Sequence, residues 1–148
     1  MPQEATLPPA AAAFLAQARI AHLATADAAG CPHVIPIVFV VLDGRLYSPL
    51  DTKPKRVAPR QLKRVRNLRE NPQVAVVVDR YSEDWSRLAY VLLTGTARLV
   101  EAGAEAQRAL AALRAKYPQY TSGPFALANA TLIAIEPARV VCWGPLAE

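Results

Sequence analysis

Apolar positions along this chain switch between a helical and an alternating period, and the switches outline its elements. Phe14, Leu15 and Ala18 recur at helical spacing behind Pro8 and Pro9, which suit a first turn, so Pro8 to Arg19 reads as a short helix. Ile20 to Ala26 reads as a strand, broken at Asp27 to Gly30. His33 to Leu42, rich in Val and Ile, reads as one further strand. Asp43-Gly44 follows it, and Asp-Gly between two apolar runs predicts a type I′ hairpin, because both central residues of that turn need positive φ. Arg45 to Pro49 is then the return strand.

Asp51 to Pro59 reads as a loop, with proline at 54 and 59. Pro59 suits the first turn of a helix running to about Glu70 and ended by Asn71-Pro72. Leu62, Val65 and Leu68 mark its buried stripe, which sets Arg60, Lys63 and Arg64 near one another at its start. Gln73 to Arg80 and Leu88 to Val100 read as strands, separated by a turn through Asp79 to Asp84, and Gly95 marks a bulge or a close backbone approach. Ala102 to Lys116 is a helix of strong formers. Thr131 to Trp143 closes the chain as a strand, with Pro137 as a break or bulge. The expected fold is mainly β and antiparallel: a closed or partly closed barrel with peripheral helices, in a single domain over 1–148 with an N-terminal helical segment over 1–18. Strand order does not follow from periodicity.

Charge changes this picture in one place. Eight of the seventeen Lys and Arg residues fall between Lys53 and Arg69, a stretch without Asp or Glu. It carries +8 where the whole chain carries +5, so the remainder sums to −3. A local field of this kind attracts phosphates or polycarboxylates. A solvated basic helix face is the bland alternative, and the missing compensating acids weigh against it. Nucleic acid is a rival anion, but no Phe, Tyr or Trp interleaves the cations for base stacking, and no known nucleic-acid-binding motif is present.

Composition excludes more than it assigns. At 53% hydrophobic and 20% charged, the 148 residues suit one ordinary globular core. Cys31 and Cys142 lie far apart and read as free thiols, buried or near the surface; with only His22 and His33 beside them, no metal site is expected. No basic leader precedes an apolar core, and the apolar runs are too short to span a bilayer, so a reduced cytoplasmic setting is the default expectation. No nucleophile elbow, Walker loop or GxGxxG occurs, and His22 and His33 read as core histidines ahead of catalytic bases. If the chain is an enzyme, a bound cofactor carries the chemistry.

The Asp-Gly hairpin, Leu46-Tyr47-Ser48, the basic loop, Leu62 to Leu68 and Asn71-Pro72-Gln73-Val74 together resemble the pyridoxamine-phosphate-oxidase-like superfamily. The runs Asp51 to Arg56, Asp79 to Trp85, Gly95-Thr96-Ala97 and Val141-Cys142-Trp143-Gly144 resemble its flavin/deazaflavin oxidoreductases of the probable coenzyme F-420-dependent class. The resemblance implies an FMN-binding-type split β-barrel and a homodimer with cofactor sites between subunits. It implies an oxidoreductase moving hydride between reduced F-420, a deazaflavin, and a small organic substrate, with FMN as the alternative cofactor and a non-enzymatic cofactor carrier as the alternative role. By position, Ile35, Pro36, Ile37 and Val38 would pass along the ring, and Tyr47 and Ser48 would lie near the ribityl chain and phosphate. Lys63 and Arg64 would hold phosphate, Lys53, Lys55 and Arg56 would extend the positive surface, and Trp143 would reach the ring, the dimer interface or merely the barrel mouth. No catalytic side chain is nominated.

Overall fold

A computed structural model of the protein describes residues 6–50 and 62–147. In chain order the elements are α1 (Pro9–Gln17), β1 (Ala21–Ala26), β2 (Pro32–Ile37), β3 (Val40–Leu42), β4 (Arg45–Pro49), α2 (Lys63–Glu70), β5 (Gln73–Arg80), β6 (Ala89–Val100), α3 (Ala104–Lys116) and β7 (Leu132–Trp143). Every strand pairing is antiparallel, in a seven-stranded sheet ordered β2-β1-β5-β6-β7-β4-β3. The mainly β, antiparallel expectation holds. Among the described residues no helix is long and apolar enough to cross a membrane.

The stretch read as one strand, His33 to Leu42, is two. β2 pairs with β1 at one end of the sheet and β3 pairs with β4 at the other. Only Val38 and Phe39 separate them, three steps that span at most about 10 Å, so the sheet curls until its two ends meet. The backbone of Phe39 at the break still needs partners. Tyr117, at the end of α3, supplies them: its hydroxyl accepts from the Phe39 N–H at 3.2 Å and lies 3.1 Å from the Phe39 carbonyl. Periodicity could not reveal this division, because the apolar run continues across it while the hydrogen-bonding partner changes.

Two apolar layers follow from the alternation of side chains. Leu23, Leu46, Val76, Val91, Leu93, Ile133 and Ile135 fill the inside of the curl, with Phe14 and Leu15 of α1 and Val65 and Leu68 of α2 packed into the same core. Residues on the opposite face, Val40, Tyr47, Val100, Leu132 and Ala134, meet Ala106, Ala109, Leu110 and Leu113 of α3.

The hairpin has the expected turn, with φ of +54° at Asp43 and +76° at Gly44 and Leu42 opposite Arg45. The bulge lies where Gly95 and Pro137 pointed to one: the β6–β7 register shifts between Thr94 and Gly95, and Gly95 sits opposite Pro137. A Cβ at Gly95 would stand 2.0 Å from the Glu136 carbonyl oxygen, so only glycine allows the approach.

Two expectations need correction. Of the helix anticipated from Pro59, the part up to Gln61 lies outside the described residues, and the rest begins at Lys63, because Leu62 is extended (ψ 141°) and packs against the barrel core. His22 is exposed rather than in the core: Leu23 and Thr25 point inward, and alternation turns their neighbour out.

Candidate functional site

The first turn of α2 is strongly basic. Lys63, Arg64 and Arg66 occupy it with no acid among them and no side-chain cap at Leu62. Cations at a helix N-terminus oppose the macrodipole by about 0.3–1 kcal/mol each, so this turn favours an anion over its own side chains. Packing holds it there: Val65 and Leu68 anchor the helix in the barrel, and the Glu70 carboxylate accepts from the Ala28 N–H at 3.0 Å. Lys63 reaches to 4.0 Å from Asp27 at the end of β1. Hydrogen bonds from the amides of Cys31 and Ala29, with Lys63 nearby, hold the Asp27 carboxyl below its usual value.

Beneath this turn lies a buried polar group that the sequence reading did not single out. Asn67, 1% exposed, donates from Nδ2 to the Thr25 hydroxyl at 3.0 Å, while its Oδ1 has no partner among the described residues. Thr25 faces His33 across the β1–β2 ladder, and the buried Nδ1 of His33 also lacks a partner among them. Each unmet buried group costs about 1–3 kcal/mol. Such a cost is tolerated where something other than the chain meets it. A side-chain amide inside a basic helix was the available signal.

Beside these residues runs a groove of about 580 Å³, lined by Ala24, Ala26, Ala75, Asn71, Gln73 and Thr96 among others and by no ionisable side chain. It opens on the outer face of β2, β1, β5, β6 and β7. Registered rows there read Pro36, His22, Val77, Leu92, Val141 and then Val34, Ala24, Ala75, Thr94, Arg139. Val34 is 65% exposed.

The remaining candidates scatter. Pro36 is exposed on end strand β2, Ile35 and Ile37 turn toward the core, and Val38 is half-buried at the strand break. Tyr47 is 2% exposed in the layer beneath α3, and its hydroxyl donates to Glu105 Oε2 at 2.7 Å. Burial and that carboxylate push the phenol up to about 12. Ser48 is buried on the adjacent stretch of β4. Trp143 is 51% exposed and stacked on Tyr90 at 5.8 Å between ring centroids. The row of Asp79, Tyr90 and Trp143 lies six residues along β5 from Gln73, roughly 20 Å, so Trp143 is at the far end of the sheet from the groove. Lys53, Lys55 and Arg56, with Arg60, lie outside the described residues. The structure thus brings Lys63 and Arg64 to the β1–β2 end and leaves Tyr47 and Trp143 elsewhere. Among the described residues no group of three or more His, Cys, Asp or Glu is placed to hold a metal.

Comparison with known proteins agrees with the topology. The profile of the pyridoxamine 5'-phosphate oxidase family matches residues 7–144. No curated protein sequence matches significantly. Among solved structures, the chain is similar to a conserved hypothetical protein from Mycobacterium tuberculosis at 22% identity and TM-score 0.71, covering 90% of this chain and 81% of that one. It is similar to the heme storage protein HutZ from Vibrio cholerae at 20% identity and TM-score 0.70, covering 93% and 94%. A heme binding protein from Mycobacterium smegmatis matches at 19% identity and TM-score 0.69, covering 97% and 57%. Identities this low speak for the fold alone, and with the family profile spanning nearly the whole chain, the protein belongs to the pyridoxamine 5'-phosphate oxidase-like family of split β-barrels.

Proposed function

We propose that the protein is an oxidoreductase that binds coenzyme F-420 and acts on a small, uncharged organic substrate. The observation that carries this reading is the acid-free basic segment ending in the Lys63-Arg64 turn. A phosphodiester with an oligoglutamate tail needs more cationic reach than one phosphate, and eight cations over seventeen residues supply it. The donors present fit such a ligand: Arg64 carries a planar fork suited to phosphate oxygens and Lys63 a mobile point charge, both beside the N–H groups of the α2 start. When bound, the deazaflavin ring supplies hydride transfer. The chain's part is positioning: the Ile35 to Val38 stretch, largely through its backbone, would pass along the ring, and the groove beside Gln73 and Thr96, without a charge, suits a neutral acceptor. Exposed free Cys31 and Cys142 suit a reducing, cytoplasmic setting.

We also propose a homodimer. The apolar rows around Val34, Ala24, Ala75 and Val77, over which no described helix lies, form a sheet face that a second copy would bury.

FMN is the second reading, favoured by the fact that Lys63 and Arg64 at one helix start already suffice for a single phosphate. Calorimetric titration of cofactor-free protein with F-420, FMN and hemin at low and moderate salt separates the cases. Tight, salt-sensitive F-420 binding with weak FMN binding is expected. Preference for FMN moves the protein to conventional flavin chemistry, and preference for hemin removes the oxidoreductase reading.

A further inference from the structure

We propose that the groove between the end of α1, β3 and the last turn of α3 is a second ligand site, which binds a small aliphatic carboxylate between Arg19 and Lys116. The groove has a volume of about 500 Å³ and is walled by Ala16, Val40, Val41, Ala112 and Ala115, with Arg19 and Lys116 at one end. An adjoining depression of about 360 Å³ beside Ile20 and Val38 shares Arg19. The site does not rest on the F-420 reading.

The charge balance there is uneven. Lys116 Nζ donates to the Leu15 carbonyl at 3.2 Å, in the last turn of α1, and Arg19 Nη1 donates to the Lys116 carbonyl at 2.7 Å, at the end of α3. Lys116 thus caps the end of α1, just before Arg19, and Arg19 caps the end of α3 at Lys116. Two helix C-termini present about half a negative charge apiece, against two full positive charges. Roughly one positive charge is left over, which suits a monoanion. Among the described residues no carboxylate pairs with either side chain, and the acid of the neighbouring hairpin, Asp43, is held by Arg108 at 2.7 Å.

Donors are also left over. A guanidinium has five N–H groups and an ammonium three, and each of these cations makes a single hydrogen bond within the described chain. The aromatic faces under them fix their positions: Lys116 Nζ stands 3.9 Å from the Phe39 ring centroid and Arg19 lies over Tyr117 at 5.5 Å. Burial, then the nearness of Arg19, brings the Lys116 ammonium down to about 8, as expected of a cation without a counter-ion. Alanines along the wall leave room for a short alkyl chain beside the two charges. Carboxylate oxygens would meet the free N–H groups, and the tail would cover Val40 and Val41.

The test is an NMR titration with hexanoate, following the Lys116 side-chain signals and their pH dependence, with hexanol as the uncharged control. Saturable hexanoate binding that raises the Lys116 ionisation, with no response to hexanol, is expected. Arg19→Gln, at an exposed position, should weaken hexanoate by about tenfold or more. Ala115→Leu, also exposed, should block the groove and weaken it further while leaving the melting temperature unchanged. Equal response to hexanol, indifference to Arg19→Gln, or no saturation at about 10 mM hexanoate would each overturn the proposal. The wild-type comparison of hexanoate with hexanol needs no variant to fold.

Discussion

Two stretches of this sheet's outer face, the one that α3 covers and the one at the β1–β2 end, treat their polar groups in opposite ways. Under α3, no buried side-chain polar atom among the described residues is left over. Arg98 holds both oxygens of Glu105 at 2.8 and 2.6 Å, Tyr47 donates to the same carboxylate, and Glu136 is shared by Arg45 at 3.1 Å and Arg98 at 3.3 Å. Two cations meet two acids, and the aliphatic side of α3 seals the layer beneath them. At the β1–β2 end the ledger stays open: among the described residues Asn67 Oδ1 and His33 Nδ1 lack partners, and no described helix lies over the sheet beside them. The closed face is structure. The open one is where a ligand and a second subunit would complete the molecule.

The largest effects should separate the faces by stability. Leu113, fully buried on the sheet-facing side of α3, should cost about 2–5 kcal/mol as Leu113→Ala, measured by denaturant unfolding. Val34→Asp on the open face should leave the fold of the subunit within about 0.5 kcal/mol. It should instead shift the protein to a monomer in sedimentation. An assembly unchanged by Val34→Asp would remove this face as the subunit contact.

A smaller effect concerns the Tyr47–Glu105 contact. Tyr47→Phe should lose about 1 kcal/mol, since the carboxylate keeps Arg98. Hydrogen bonds from Arg98 and then Tyr47 hold Glu105 at about 2, below its ordinary 4.5. A depressed carboxyl stabilises the fold fully above its ordinary value and loses that contribution as pH falls from about 4.5 to about 2. Wild-type protein should therefore lose more stability across that window than Glu105→Gln does. Parallel acid-unfolding curves would contradict the contact.

The smallest effect runs the other way in pH. Lys116 titrates near 8 in the folded chain against an ordinary 10.5, so the unfolded state binds its proton more strongly between those values. Stability contributed by this position rises as pH climbs through that window. Relative to Lys116→Met, the wild type should gain less than about 1 kcal/mol there, because solvent screens a half-buried ammonium. A wild type that weakens relative to Lys116→Met would reverse the assignment.

What the sequence could disclose depended on how local the cause was. Asp43-Gly44 announces its hairpin because the turn's positive φ values are set by those two residues. Gly95 and Pro137 mark the bulge for the same reason, each being a residue whose backbone is special wherever it stands. The division of His33 to Leu42 was hidden, because its cause is Tyr117, a residue far along the chain that satisfies Phe39. Tyr47 reads as a site residue by resemblance, yet its hydroxyl is committed to Glu105, 58 positions away. Lys63 and Arg64 were legible as a charge cluster, whereas Asn67 was not, since burial of an amide beneath them depends on Thr25.

The most direct measurement is cofactor affinity in two variants, Lys63→Ala with Arg64→Ala, and Tyr47→Phe, by calorimetry with F-420 and FMN at two salt concentrations. If the open end holds the ligand, the double variant should weaken binding by about tenfold or more and flatten its salt dependence, while Tyr47→Phe leaves the affinity unchanged. Unchanged affinity in the double variant, with binding lost in Tyr47→Phe, would place the ligand on the face that α3 covers and contradict the account.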